Sequence, residues 1–109
     1  MEFKDYIERQ RDWSLRTFGE GKRTEGIVKH IQAELQEILE ADNDDDRLIE
    51  VIDVIILSMD LAWRLGYAPD EIELVLQLKQ YKNRLRQWPS REVSEANQNE
   101  PTFHIKIKE

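Results

Sequence analysis

Glu34-x-x-Glu37 and Glu50-x-x-Asp53 are the residues of this 109-residue chain whose types and spacing suit chemistry. Residues three apart lie on one face of a helix, so each pair converges where its segment is helical. Glu50 follows Glu37 by only 13 positions, room for about one more turn of each helix and a loop. Helices joined so closely pack antiparallel, which sets the two pairs opposite each other. Four converging carboxylates repel, and oxygen-only ligation of a hard divalent cation, Mg²⁺ or Mn²⁺, relieves that repulsion. From Glu34 to Asp60 there are ten acids and one base, Arg47, so the compensating charge has to come from elsewhere. Glu34 and Glu37 taken alone read as a solvated acidic face. Glu50 and Asp53, beside and within an apolar run, read equally as a solvated face or as a site, and the two pairs together favour metal binding. Glu40, Asp42, Asp44 and Asp45 read as ordinary surface.

A second group has the opposite sign. Between Leu74 and Arg91 stand Lys79, Lys82, Arg84, Arg86 and Arg91 and no acid. Lys79, Lys82, Asn83 and Arg86 share one helical stripe, and cationic and amide donors of this kind suit polyphosphate. The same stripe also reads as a solvated face, or as cations favoured near a helix C-terminus. Lys22 and Arg23 precede a helix start, where phosphate also binds. His30 reads as a polar packing residue. Trp13, Phe18, Trp63 and Trp88, taken one by one, read as core.

These residues need four helices to position them. The first is expected from about Phe3 to Thr17, before a loop punctuated by Gly19 and Gly21. The second runs from an N-cap at Thr24 to about Ala41, with Ile27, Val28, Ile31, Leu35, Ile38 and Leu39 at helical spacing. The third runs from about Asp46 to Leu65 and stops at Gly66. The fourth opens at Pro69-Asp70-Glu71 and ends before Trp88-Pro89. Residues 90–100 read as a loose tail, and Phe103 to Ile107 alternate like a short strand or an arm on a partner. The third helix is apolar nearly all round, from Val51 to Leu65. Such a helix belongs at a centre, and four short helices cannot enclose it, so a second subunit is expected on one side. Asp53 and Asp60 within that run are costly unless paired or metal-bound.

Composition limits the rest. The length allows one domain, expected as a helical domain over residues 1–89 with a C-terminal tail over 90–109. A net charge of −7 argues against coating nucleic acid or anionic membranes. Without cysteine, disulfide and thiolate–zinc scaffolds are excluded and a reducing cytoplasm fits. No apolar leader opens the chain, and its most apolar stretch is too charged to span a bilayer.

Further matches accompany the carboxylate pairs. They are Gln10-Arg11-Asp12-Trp13-Ser14-Leu15-Arg16-Thr17-Phe18-Gly19, Arg23-Thr24-x-Gly26, His30-Ile31, Lys79-x-x-x-Asn83 and Arg86-x-Trp88-Pro89. Together they resemble the all-α, MazG-like nucleotide pyrophosphohydrolases, in the dATP/dGTP diphosphohydrolase branch of bacteriophages and bacteria. The resemblance covers about residues 6–89. It departs from the family where Glu20 or Lys22 stands in place of a frequent proline.

The resemblance implies an all-α, four-helix protomer in a tight dimer or tetramer. It also implies Mg²⁺-dependent hydrolysis of a nucleoside triphosphate, dGTP or dATP, to the monophosphate and pyrophosphate. Metal ligation carries over to Glu34, Glu37, Glu50 and Asp53, with Glu37 also the candidate base. Phosphate contacts carry over to Lys79, Asn83 and Arg86, and base contacts to Trp13 and Phe18; Arg23 is a further phosphate candidate. Two competing readings come from the residues. One is a non-enzymatic acidic helical oligomer acting as an interaction module. The other is a di-iron carboxylate protein, which fits poorly because neither His30 nor His104 follows a glutamate by three.

Overall fold

A computed structural model describes residues 1–105, and these are all-helical, with five helices and no strand. The order is α1 (Phe3–Phe18), α2 (Thr24–Glu40), α3 (Asp44–Arg64), α4 (Pro69–Leu85) and α5 (Arg91–Ala96). Two compact units divide the chain, Met1–Glu73 and Leu74–Glu109, and α4 begins in the first and ends in the second.

In the first unit, α2 and α3 form the principal packed pair, joined by the turn over residues 41–43. Asn43 caps α3 by accepting the Asp46 N–H at 2.9 Å, and the acids of that first turn favour the positive end of the helix. Arg47 secures the other side of the turn. Its guanidinium donates to the Ile38 carbonyl at 3.1 Å and to the Ala41 carbonyl at 2.9 Å, and pairs with Asp44. These are carbonyls at the end of α2, which lack partners within the helix. The one base of the acidic stretch is therefore committed to the hairpin turn.

α1 packs on α3 through Ile7, Met59 and Trp63, with Tyr6, Leu15, Ile56 and Ile72 around them. Beside this small apolar core lies a buried polar network. Asp60 Oδ1 accepts from Ser14 Oγ at 2.9 Å and from Arg64 Nε at 3.0 Å. Arg64 also donates to Ser14 Oγ at 2.9 Å and to the carbonyls of Gly19 and Gly21 at 2.9 and 3.0 Å. Its guanidinium lies 4.4 Å from the centroid of the Trp63 ring. One side chain thus holds Asp60 and ties the α1–α2 loop to α3.

Several expectations change. Thr24 is the first residue of α2 rather than its cap. Arg23 occupies the cap position in the left-handed region, φ 51°, without a side-chain capping bond. The expected four helices are five, because residues 91–96 of the tail are helical. Ser90 Oγ accepts the Val93 N–H at 3.2 Å, and Arg91 pairs with Glu95 one turn on. Phe103, His104 and Ile105 form no strand, and the rest of the expected alternation, Lys106 and Ile107, lies outside the described residues. In the second unit the Ile105 N–H donates to the Gln87 carbonyl at 2.8 Å, and the Trp88 and His104 rings meet edge-on at 5.9 Å. As the periodicity of α3 predicts, the described residues do not cover it: Leu48, Ile49, Ile52 and Ile55 are exposed, as are Leu35 and Leu39 on α2.

Candidate functional site

The helical hairpin brings the carboxylates together. Glu34, Glu50 and Asp53 each offer an oxygen, and these three oxygens lie within 4.8 Å of one another. Glu37 stands next to them and interacts with Glu50 and Glu34, though it is outside this closest group. Its carboxyl is raised above the usual range, first by its hydrogen bond with Glu50 and then by the negative charges of Glu50 and Asp53. Glu50 is also raised, first through its hydrogen bond with Glu34, then by desolvation and the neighbouring charges. These groups resist ionising together, as mutually repelling carboxylates must.

Glu34 is the buried member. His30 Nε2 lies 3.2 Å from Glu34 Oε1, so His30 is a neighbour of the cluster and more than half exposed, not a packing residue. Glu34 Oε2 is buried and has no hydrogen-bond partner among the described residues. An unsatisfied buried carboxylate oxygen is costly. Together with two further oxygen donors at hand and Arg47 committed elsewhere, it fits the coordination of a hard divalent cation.

The four carboxylates divide between the linings of two depressions. Glu34 and Asp53 line a cavity of about 240 Å³ that is also lined by Gln10, Trp13, Phe18, His30, Ile56, Leu57 and Asp60. Trp13 and Phe18 meet edge to face, with centroids 5.5 Å apart. Each is half exposed, so neither is core; of the tryptophans only Trp63 is buried. Arg23 stacks over the outer ring, 4.7 Å from the Phe18 centroid. Glu37 and Glu50 line the other depression, about 280 Å³, with Glu40, Asp42, Asp46, Ala41 and Ile49. That one is larger but more open, and it offers neither an aromatic wall nor a cation. The aromatic cavity is therefore the better place for an organic group, and the carboxylate cluster beside it the place for a cation.

Lys79, Asn83 and Arg86 belong to the second unit. Asn83 Oδ1 accepts from Arg86 Nη1 at 3.4 Å, and the Asn83 carbonyl accepts from Trp88 Nε1 at 2.6 Å. Lys79 is exposed.

Asp60 was legible as a carboxylate that needs a partner, but Gln10, Ser14 and Arg64 were not legible as its neighbours from residue chemistry alone. The available signal was spacing. Gln10 and Ser14 are one turn apart on α1, and Asp60 and Arg64 are one turn apart in an apolar helix, where a carboxylate requires a partner.

A family model described as dATP/dGTP pyrophosphohydrolase matches residues 6–107. The matched span includes the tail after Pro89, which the motif resemblance does not reach. No curated protein and no solved structure matches the chain.

Proposed function

The chain belongs to the dATP/dGTP pyrophosphohydrolase family, and from that premise we propose that it hydrolyses a purine deoxynucleoside triphosphate, dGTP or dATP, to the monophosphate and pyrophosphate. The convergence of Glu34, Glu50 and Asp53 beside an aromatic cavity carries this reading. Those three residues and Glu37 are the proposed holders of Mg²⁺, for which Mn²⁺ is the nearest substitute by donor preference. Such a cation, when bound, would supply positive charge against the triphosphate and lower the pKa of a bound water, which eases its deprotonation by a base.

The protein's own groups supply the rest. Trp13 and Phe18 flank the purine. Glu37, which stands beside the cluster but outside its closest group, is the candidate to accept the proton of the attacking water. Attack at the α-phosphorus leaves pyrophosphate as the departing group, and the chemistry is mainly positioning and charge stabilisation. Running the reaction in oxygen-18 water tests this route. The label is expected in the nucleoside monophosphate, and label in pyrophosphate would contradict it.

On residue chemistry we assign phosphate contacts to Lys79, Asn83 and Arg86, with Arg23 as a further candidate. Lys79→Ala is expected to lower kcat/KM about tenfold to a hundredfold, the worth of a charge-assisted phosphate contact of roughly 1.5–3 kcal/mol. Arg91→Ala is expected to change little, because Arg91 lies beyond Trp88-Pro89 and pairs with Glu95. Equal small losses at both positions would reduce the basic stripe to a solvated face.

We also propose self-association, at least as a dimer, through the exposed apolar positions of α2 and α3. Light scattering at micromolar concentration is expected to give a multiple of 13.1 kDa, and a folded monomer would contradict it.

A further inference from the structure

The aromatic cavity is lined by two buried polar side chains, each with one polar atom engaged in hydrogen bonds and one not. Gln10 is 8 % exposed and Asp60 is 5 % exposed, and both line the cavity. Trp63 Nε1 donates to Gln10 Oε1 at 2.6 Å. An indole nitrogen can only donate, so this bond fixes which end of the amide is oxygen and leaves Gln10 Nε2 as the end that can serve a ligand. Asp60 Oδ1 takes both the Ser14 and the Arg64 hydrogen bonds. Among the described residues nothing donates to Asp60 Oδ2 and nothing accepts from Gln10 Nε2. Neither atom is sealed off, since among the described residues Glu34 Oε2 is the only fully buried side-chain atom without a partner. The lining therefore includes a carboxylate oxygen that accepts and an amide nitrogen that donates, neither already engaged, together with the half-exposed rings of Trp13 and Phe18.

We propose that Asp60 and Gln10 read the hydrogen-bonding edge of the purine, with Asp60 requiring an N–H donor on the base and Gln10 supplying a donor in return. The inference rests on the nucleotide reading above and deepens it. The cavity is about 240 Å³, and a further depression of about 130 Å³, lined also by Arg23, shares Phe18, His30, Leu57 and Asp60 with it. Adenine offers the N6 amino group beside the N1 acceptor. Guanine offers N1–H beside the O6 acceptor. Each is an adjacent donor and acceptor, but in opposite order along the edge, so Asp60 Oδ2 and Gln10 Nε2 are satisfied by one base in one ring orientation and by the other only with the ring turned over. A purine without 2- or 6-substituents has only acceptors on this edge. It would face the carboxylate with a lone pair, leaving Asp60 Oδ2 without a donor. Sites built to hydrogen-bond a substrate group reject analogues lacking it far more strongly than sites that only sense shape.

The test uses the wild-type protein and compares kcat/KM for dATP, dGTP and purine 2′-deoxyriboside 5′-triphosphate. The analogue keeps the ring system, the sugar and the triphosphate, so stacking and phosphate contacts are unchanged. The better of dATP and dGTP is expected to exceed the analogue by about 100-fold. A ratio below about tenfold, with dATP or dGTP turned over normally, overturns this inference and leaves the proposed function standing. If neither dATP nor dGTP is turned over, both fall. Asp60→Asn supplies a second readout. Its amide can turn a donor toward the base, so the preference over the analogue is expected to shrink in the variant, whatever the loss of stability from weakening the Arg64 pair. An unchanged ratio in folded variant protein would contradict the assignment.

Discussion

Asp53→Asn and Glu50→Gln are each expected to lower turnover of dGTP or dATP by more than about 100-fold while the helices remain folded. Even partners that only orient a metal ligand typically cost about 10–100-fold when removed, and these two residues are proposed to touch the cation directly. Both substitutions keep the shape of the side chain and remove one negative charge. In the cation-free protein that removal relieves repulsion, since Glu37 and Glu50 are both held above the usual carboxylate range by their acidic neighbours. The thermal midpoint of either variant without metal is therefore expected to equal or exceed that of the wild type. Added Mg²⁺ should separate them in the other direction. A ligand at 100 times its dissociation constant stabilises the folded form by about 2.7 kcal/mol, and the variants should lose most of that gain. Calorimetric scans with and without Mg²⁺, alongside turnover, check both halves. Full activity in either variant would remove the carboxylates from the metal assignment.

Arg64→Ala is expected to be the most destabilising of the substitutions considered, by about 3–5 kcal/mol, the usual cost of breaking a buried ion pair from one side. The Arg64 side chain is fully buried and that of Asp60 is 6 % exposed. Its loss strands the Asp60 carboxylate with only the Ser14 hydroxyl and frees the Gly19 and Gly21 carbonyls. Arg64→Lys should recover part of the loss, because an ammonium restores the charge but not the planar fork that reaches Asp60, Ser14 and the loop at once. Urea unfolding followed by circular dichroism measures both variants. A loss below about 1 kcal/mol for Arg64→Ala would show that the network is dispensable. The loop carries Phe18 and Arg23 at its ends, so a loosened loop also predicts a larger change in KM than in kcat for whatever Arg64→Lys protein remains folded.

Much of the helical order was legible in the sequence, because apolar periodicity and Gly and Pro punctuation are local signals. The boundaries of α1, α2 and α4 fall within a few residues of expectation. The start of α2 was misplaced because Thr24 has the chemistry of a cap, while the turn geometry puts Arg23 there instead. The fifth helix was hidden by a polar composition, and its Ser90 cap and Arg91–Glu95 pair were the only local signs of it. At the site, the two carboxylate pairs were readable because the i, i+3 spacing and the short linker determine a shared face. The cavity lining was not, since Gln10 on α1 and Asp60 on α3 meet only through tertiary packing. The reading of Trp13 and Phe18 as core failed for a related reason. Aromatic type signals burial in general, and only the packing of α1 shows that these two rings border an open cavity.

The most direct test of the account is product analysis with purified protein, dGTP or dATP, and Mg²⁺, repeated with the metal chelated. The account predicts equal amounts of pyrophosphate and the deoxynucleoside monophosphate with Mg²⁺ present, and none after chelation. Formation of inorganic phosphate and a diphosphate, or release of pyrophosphate that is indifferent to chelation, would contradict it.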